Sequence, residues 1–181
     1  MRRVLPILVV GLTACLELGQ QPSSESTETT GSSATLGRYE VTASLDTQTC
    51  GTGSIVFPET LTFVIELDEE DKQLVWGDGA LALRGRLAAN GVEFSVEAKK
   101  VVDARGDTEA ENLPPCLIER TDAVQGALDD PEAPTGFEAT LEIDYAPEAG
   151  SDCEDLLFGP DRLVQALPCQ ARYELVGSRS D

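Results

Sequence analysis

The sequence predicts an all-β fold, an antiparallel up-and-down meander of eight strands able to close into a barrel. Three observations carry that prediction. Apolar residues recur at every second position through most of residues 36–181, short polar turns separate the alternating runs, and no sustained 3.6-residue repeat lies between them. Eight strands joined this way can pair the first with the last and leave no edge exposed. A two-sheet sandwich is the alternative architecture.

The first strand falls at 38–46, where Tyr39, Val41, Ala43 and Leu45 alternate with Arg38, Glu40, Thr42, Ser44 and Asp46. The second, 60–68, turns Leu61, Phe63, Ile65 and Leu67 to one side. After the charged loop Glu69-Glu70-Asp71-Lys72 comes a short third strand, 73–77, with Leu74 and Trp76. Residues 80–102 carry the clearest local signal. Asn90-Gly91 separates two alternating runs, and both residue types tolerate the positive φ of a type I′ turn. A two-residue loop there sets Ala89 opposite Val92, Leu87 opposite Phe94, Gly85 opposite Val96 and Leu83 opposite Ala98. Every pair is apolar or glycine on both strands, as a half-buried hairpin requires. A polar loop at 104–115 ends in two prolines. The sixth strand, 116–126, is blurred by Asp122-Ala123-Val124. An acidic turn at 129–134 precedes a regular seventh strand, 136–145. Residues 152–167 are irregular, with a short helix expected around 161–166, and 169–175 alternates again as the eighth strand.

Upstream of the domain the chain is built differently. Met1-Arg2-Arg3, an apolar stretch from Val4 to Leu12 and then Thr13-Ala14-Cys15 form the layout of a secretory signal. The apolar stretch is far short of the roughly 20 residues needed to span a bilayer. Leu12-Thr13-Ala14-Cys15 resembles the lipobox of bacterial lipoproteins. The resemblance implies cleavage before Cys15, a diacylglyceryl thioether on its sulfur and acylation of the new amine. The bilayer is then a partner through acyl chains, each buried CH₂ contributing about 0.8 kcal/mol. Leu16 behind the lipid cysteine favours outer-membrane sorting. Residues 20–34, QQPSSESTETTGSSA, lack large apolar side chains and read as a flexible tether. The expected organisation is therefore a signal peptide at 1–14, a lipidated cysteine and tether at 15–35, and one domain at 36–181. The strand rhythm of that domain resembles lipocalin-like barrels and small all-β envelope lipoproteins, although a true lipocalin Gly-x-Trp signature is missing and Gly37-Arg38-Tyr39 is only a loose echo.

The 181 residues hold 33 Asp+Glu against 13 Lys+Arg, no histidine, and a formal net charge of −20. Phosphate backbones are held by Lys and Arg, so nucleic acid is not an expected partner. Lack of histidine removes Ser-His-Asp and Cys-His catalysis and every His-ligated metal site. Setting Cys15 aside leaves Cys50, Cys116, Cys153 and Cys169, an even set in an oxidising compartment. Of three possible connectivities the preferred one joins Cys153 to Cys169 across the irregular segment, and Cys50 to Cys116. A four-thiolate zinc site would need closer spacing.

Acidic clusters at Asp68-Glu69-Glu70-Asp71, Asp129-Asp130-Pro131-Glu132 and Asp152-Cys153-Glu154-Asp155 do not fit a calcium loop and read as solvated turns. Arg105-Gly106-Asp107 matches the integrin tripeptide by coincidence of letters. Gly51-Thr52-Gly53-Ser54 lacks the Lys and helix of a phosphate loop. Tyr39, Phe63, Trp76, Phe94, Tyr145 and Tyr173 share the inward phase of their strands; they form the core of a filled barrel, or line the cavity of an open one. The expectation is a non-enzymatic, lipid-anchored envelope protein without cofactor or metal, in a structural or interaction role with an envelope protein. The alternative is a carrier holding a small apolar ligand in the barrel. A hydrolase with paired carboxylates ranks third.

Overall fold

A computed structural model describes residues 33–77, 82–105 and 113–180. The expected signal, the lipobox Leu12-Thr13-Ala14-Cys15 and all of the tether before Ser33 lie outside these residues. The last three tether residues, 33–35, already belong to the first strand.

Eight strands close into one antiparallel barrel in up-and-down order. They are β1 (Ser33–Gln48), β2 (Thr60–Glu70), β3 (Gln73–Gly77), β4 (Ala82–Leu87), β5 (Glu93–Asp103), β6 (Leu117–Leu128), β7 (Gly136–Pro147) and β8 (Cys169–Arg179). The barrel closes where β1 pairs with β8, from Tyr39 opposite Arg179 to Gln48 opposite Ala171. The sandwich alternative is thereby excluded. The irregular stretch before β8 contains one turn of 3₁₀ helix, Glu154–Leu157, rather than the helix expected around 161–166.

Two turns differ from expectation in an instructive way. The tight two-residue hairpin turn lies between β2 and β3, where Asp71 (φ 52°) and Lys72 (φ 65°) take left-handed conformations and Glu70 faces Gln73. Between β4 and β5 only Gly91 has positive φ (68°). Its N–H donates to the Ala88 carbonyl, while Asn90 Oδ1 accepts from the Val92 and Glu93 N–H groups. The loop is therefore two residues longer than a type I′ hairpin, because the Asn90 carboxamide bonds the chain ahead of it. The register is the expected one nonetheless: Leu87 faces Phe94 and Gly85 faces Val96. Ala89–Val92 does not form, and Leu83–Ala98 is not paired either.

Among the described residues, the two ends of the barrel are packed by different devices. At the end of the tight turns, Tyr39 is fully buried and its hydroxyl lies 3.1 Å from the Leu36 carbonyl and 3.2 Å from that of Pro134. Burial pushes the phenol pKa upward, so it remains a donor. Above it, Trp76, Phe94 and Phe137 pack edge to face, with centroids 5.8 Å apart for the Trp76–Phe137 and Phe94–Phe137 pairs. At the opposite end, long loops fold over the barrel. Ile55, Phe57, Leu163 and fully buried Val164 pack on the core, Phe57 meets Tyr145 edge on, and the Tyr173 hydroxyl donates to the Pro58 carbonyl at 3.2 Å.

Both disulfides brace this loop end, but not in the expected pairing. Cys50 joins Cys169 and Cys116 joins Cys153, with Cα atoms 4.8 and 4.9 Å apart. Barrel closure is the reason. Cys50 follows β1 and Cys169 opens β8, and these strands are neighbours; Cys116 precedes β6, and Cys153 follows β7 beside it. Arg105 adds a polar latch alongside the second bridge. Its guanidinium forks onto Asp155 at 2.6 and 2.7 Å and donates to the carbonyls of Pro114 and Asp152. The arginine of the Arg-Gly-Asp triplet is thus committed to holding two loops together; Gly106 and Asp107 lie outside the described residues.

Candidate functional site

The candidate site lies in the side wall of the barrel. The β3 and β4 strands are the shortest of the eight, and β4 hydrogen-bonds to β5 only from Gly85 to Leu87. Beyond that point the two strands part. A cleft of about 400 Å³ lies there, lined by Trp76, Leu83, Ala98, Lys99, Lys100, Arg120 and Asp122. Leu83 and Ala98, which the hairpin register would have set face to face, instead form its two lips.

Strand pairing explains the chemistry of the lining. On β5 and β6, Ala98 faces Asp122 and Lys100 faces Arg120. These residues share the phase of Phe94, Val96, Ile118 and Val124, all buried; Ala98, Arg120 and Asp122 are half-buried, and Lys100 is exposed at the rim. Arg120 Nε donates to Asp122 Oδ1 at 2.8 Å. The guanidinium carbon also sits 5.8 Å from the centroid of the Tyr145 ring. Burial acts against the charged guanidinium, but the hydrogen bond and charge of Asp122 outweigh it and the net shift is upward. Burial likewise raises the Tyr145 phenol, opposed by the Arg120 charge. Both side chains of the ion pair are more than 30% exposed, so the pair contributes at most about 1 kcal/mol to stability.

Of the six aromatic residues on the inward phase, Trp76 alone lines the cleft. Tyr39, Phe94, Tyr145 and Tyr173 are buried in the packed interior, and Phe63 is half-buried against it. They act as core side chains. The residues missed from sequence are Leu83, Ala98, Lys99, Lys100, Arg120 and Asp122. The blurred alternation of the sixth strand was their one visible trace, because Arg120 and Asp122 occupy inward positions where apolar residues were expected.

Other features resolve into local chemistry. Asp129 accepts from the Thr135 N–H and hydroxyl at 2.9 and 2.6 Å, and Asp130 from the N–H groups of Glu132 and Ala133. These are turn-closing carboxylates. Thr52 of the glycine-bearing loop accepts from Arg162 and Gln165, fastening that loop beside Cys50. Among the described residues, no three carboxylate or cysteine side chains converge as a metal site would need. A larger hollow of about 730 Å³, near Arg84, Arg86, Ser95 and Gln125, is an open concavity of the outer wall.

No family model, curated protein or solved structure matches this chain.

Proposed function

We propose that this protein is a lipid-anchored envelope protein whose barrel binds a small, largely apolar molecule in its wall cleft and catalyses no reaction on it. The observation that supports the reading is the cleft itself. Its volume of about 400 Å³ falls within the range of small-molecule pockets, and its walls combine Trp76, Leu83 and Ala98 with a few placed polar groups. A purely structural role would not need a strand pair held apart in an otherwise packed barrel. The anchor part of the proposal rests on the lipobox-like Leu12-Thr13-Ala14-Cys15.

Binding of phenylnaphthylamine, a neutral aromatic probe, tests the cleft. Trp76, the single tryptophan, stands in the lining and reports occupancy by quenching. The expected result is saturable quenching that disappears in Ala98→Phe, whose added ring fills the cleft. Quenching that survives this substitution, or its absence from the native protein, would overturn the proposal. Palmitate incorporation tests the anchor: Cys15→Ala is expected to abolish it, and unchanged labelling would refute it.

A further inference from the structure

We infer that the ligand of this cleft is an organic anion, with its apolar body against Trp76 and Leu83 and its acidic head between Lys100 and Arg120. The inference deepens the proposed function and rests on the cleft being a ligand site.

The cleft contrasts with the rest of the chain. Acidic residues outnumber basic ones by 33 to 13, and Lys99, the neighbour of Lys100, is contacted by Glu97 at 3.9 Å and Glu119 at 3.6 Å. Carboxylate partners are abundant on the outer wall. Yet among the described residues no carboxylate oxygen lies within 4 Å of the ammonium of Lys100, which is exposed on the alternate phase of the same strand, at the cleft. Arg120 is the second cation poised for an anion. It spends Nε on Asp122, and among the described residues Nη1 and Nη2 have no hydrogen-bond partner. The guanidinium therefore has its Nη edge, which presents two roughly parallel N–H donors, unoccupied, the arrangement that takes a carboxylate or sulfonate bidentately. Asp122 and the Tyr145 ring restrain the guanidinium from two directions, so less side-chain freedom is lost when an anion arrives.

The lining also argues against the opposite charge. Asp122 is the one carboxylate in the lining and its Oδ1 is engaged by Arg120, so a cationic ligand would meet a lining in which Lys99, Lys100 and Arg120 outnumber that carboxylate three to one. A polyanion is disfavoured by the formal charge of −20 on the chain. A single acidic group on an apolar body fits what remains.

Two probes that share a ring system separate this inference from the reading beneath it. Anilinonaphthalene sulfonate carries the anionic head, and phenylnaphthylamine lacks it. The full-length protein should bind the sulfonate at least about tenfold more tightly, the worth of one charge-assisted hydrogen bond. Lys100→Gln should remove most of that advantage and leave phenylnaphthylamine affinity unchanged. The double change Arg120→Gln with Asp122→Asn, which leaves no charge stranded, should do the same. Arg86→Gln, on the outer wall, should alter neither affinity. Equal affinity for the two probes, or sulfonate binding that ignores Lys100→Gln or falls equally with Arg86→Gln, overturns the anion inference while neutral binding keeps the cleft reading. Failure of both probes to bind retires both.

Discussion

Replacing Gly177 with alanine should destabilise the barrel by about 2–3 kcal/mol. Gly177 lies on β8 directly opposite Phe137 of β7 and Val41 of β1. Its backbone conformation is open to any residue, so the cost is steric and not torsional. A Cβ at this position would overlap the Phe137 ring. That ring is only 3% exposed and is held by Tyr39, Trp76 and Phe94 at centroid distances of 5.4, 5.8 and 5.8 Å. With three aromatic neighbours packed on that ring, the site belongs at the upper part of the 1–3 kcal/mol range typical of overpacked cores, about 2–3 kcal/mol here. Urea unfolding followed by Trp76 fluorescence, with circular dichroism as a second probe, measures it. The melting temperature should fall by roughly 5–10 °C. Phe137→Leu in the same chain should recover at least about 1 kcal/mol relative to the sum of the single changes, since the two sites share one volume. A Gly177→Ala protein within about 0.5 kcal/mol of the parent, or strictly additive costs, would refute the packing argument, because surface-like tolerance is incompatible with a filled interior.

Peptide mapping without reduction should recover Cys50 linked to Cys169 and Cys116 linked to Cys153; a Cys50–Cys116 peptide would contradict the closure of β1 on β8. In the chain-entropy view the Cys50–Cys169 bridge, closing 119 residues, stabilises by about 5 kcal/mol, and the 37-residue Cys116–Cys153 bridge by about 4 kcal/mol, so removing the first should lower the urea midpoint more. Tyr173→Phe should cost about 1 kcal/mol and raise proteolytic nicking in residues 49–59, because the hydroxyl bond to Pro58 is lost. Acid should destabilise the fold through depressed carboxyls. The hydrogen bond from Arg105 lowers the Asp155 pKa, and the Thr135 hydroxyl lowers that of Asp129. Groups whose folded pKa is lowered contribute stability above their unfolded value, near 4, and lose it as pH falls through the folded value. Melting temperature should thus hold from neutrality to about pH 5 and drop below pH 4, and Asp155→Asn should flatten that drop.

Much of the barrel was readable from period-two patterning because one face of each strand is buried and the other wet. Tyr39, Val41 and Ala43, or Phe137, Ala139 and Leu141, leave little doubt about phase once alternation is seen. The hairpin register of Leu87–Phe94 and Gly85–Val96 followed from the same pattern, but its turn did not. Asn90 can supply either a positive φ or a carboxamide acceptor, and local sequence does not choose between them. The cysteine pairing was implicit in the closed meander. Closure makes the end of β1 and the start of β8 neighbours, which outweighs any gain from pinning the nearer loop. The cleft was the least legible part. It depends on two strands parting beyond Gly85, a tertiary event, and on Arg120 and Asp122 taking inward positions in a strand whose pattern alone looked faulty. An inward ion pair in a barrel wall disturbs alternation as a misassigned strand does. The difference is visible only when Lys100 is seen to stand opposite it.

The central claim, an acylated barrel holding an organic anion in its wall, is tested most directly by native mass spectrometry of the full chain extracted from its own membranes. The account predicts a covalent mass increment of acyl chains, lost in Cys15→Ala. It also predicts a small acidic molecule that dissociates on gentle activation and is missing from Ala98→Phe. A native protein of bare polypeptide mass, or a retained molecule held equally well by Ala98→Phe, would contradict it.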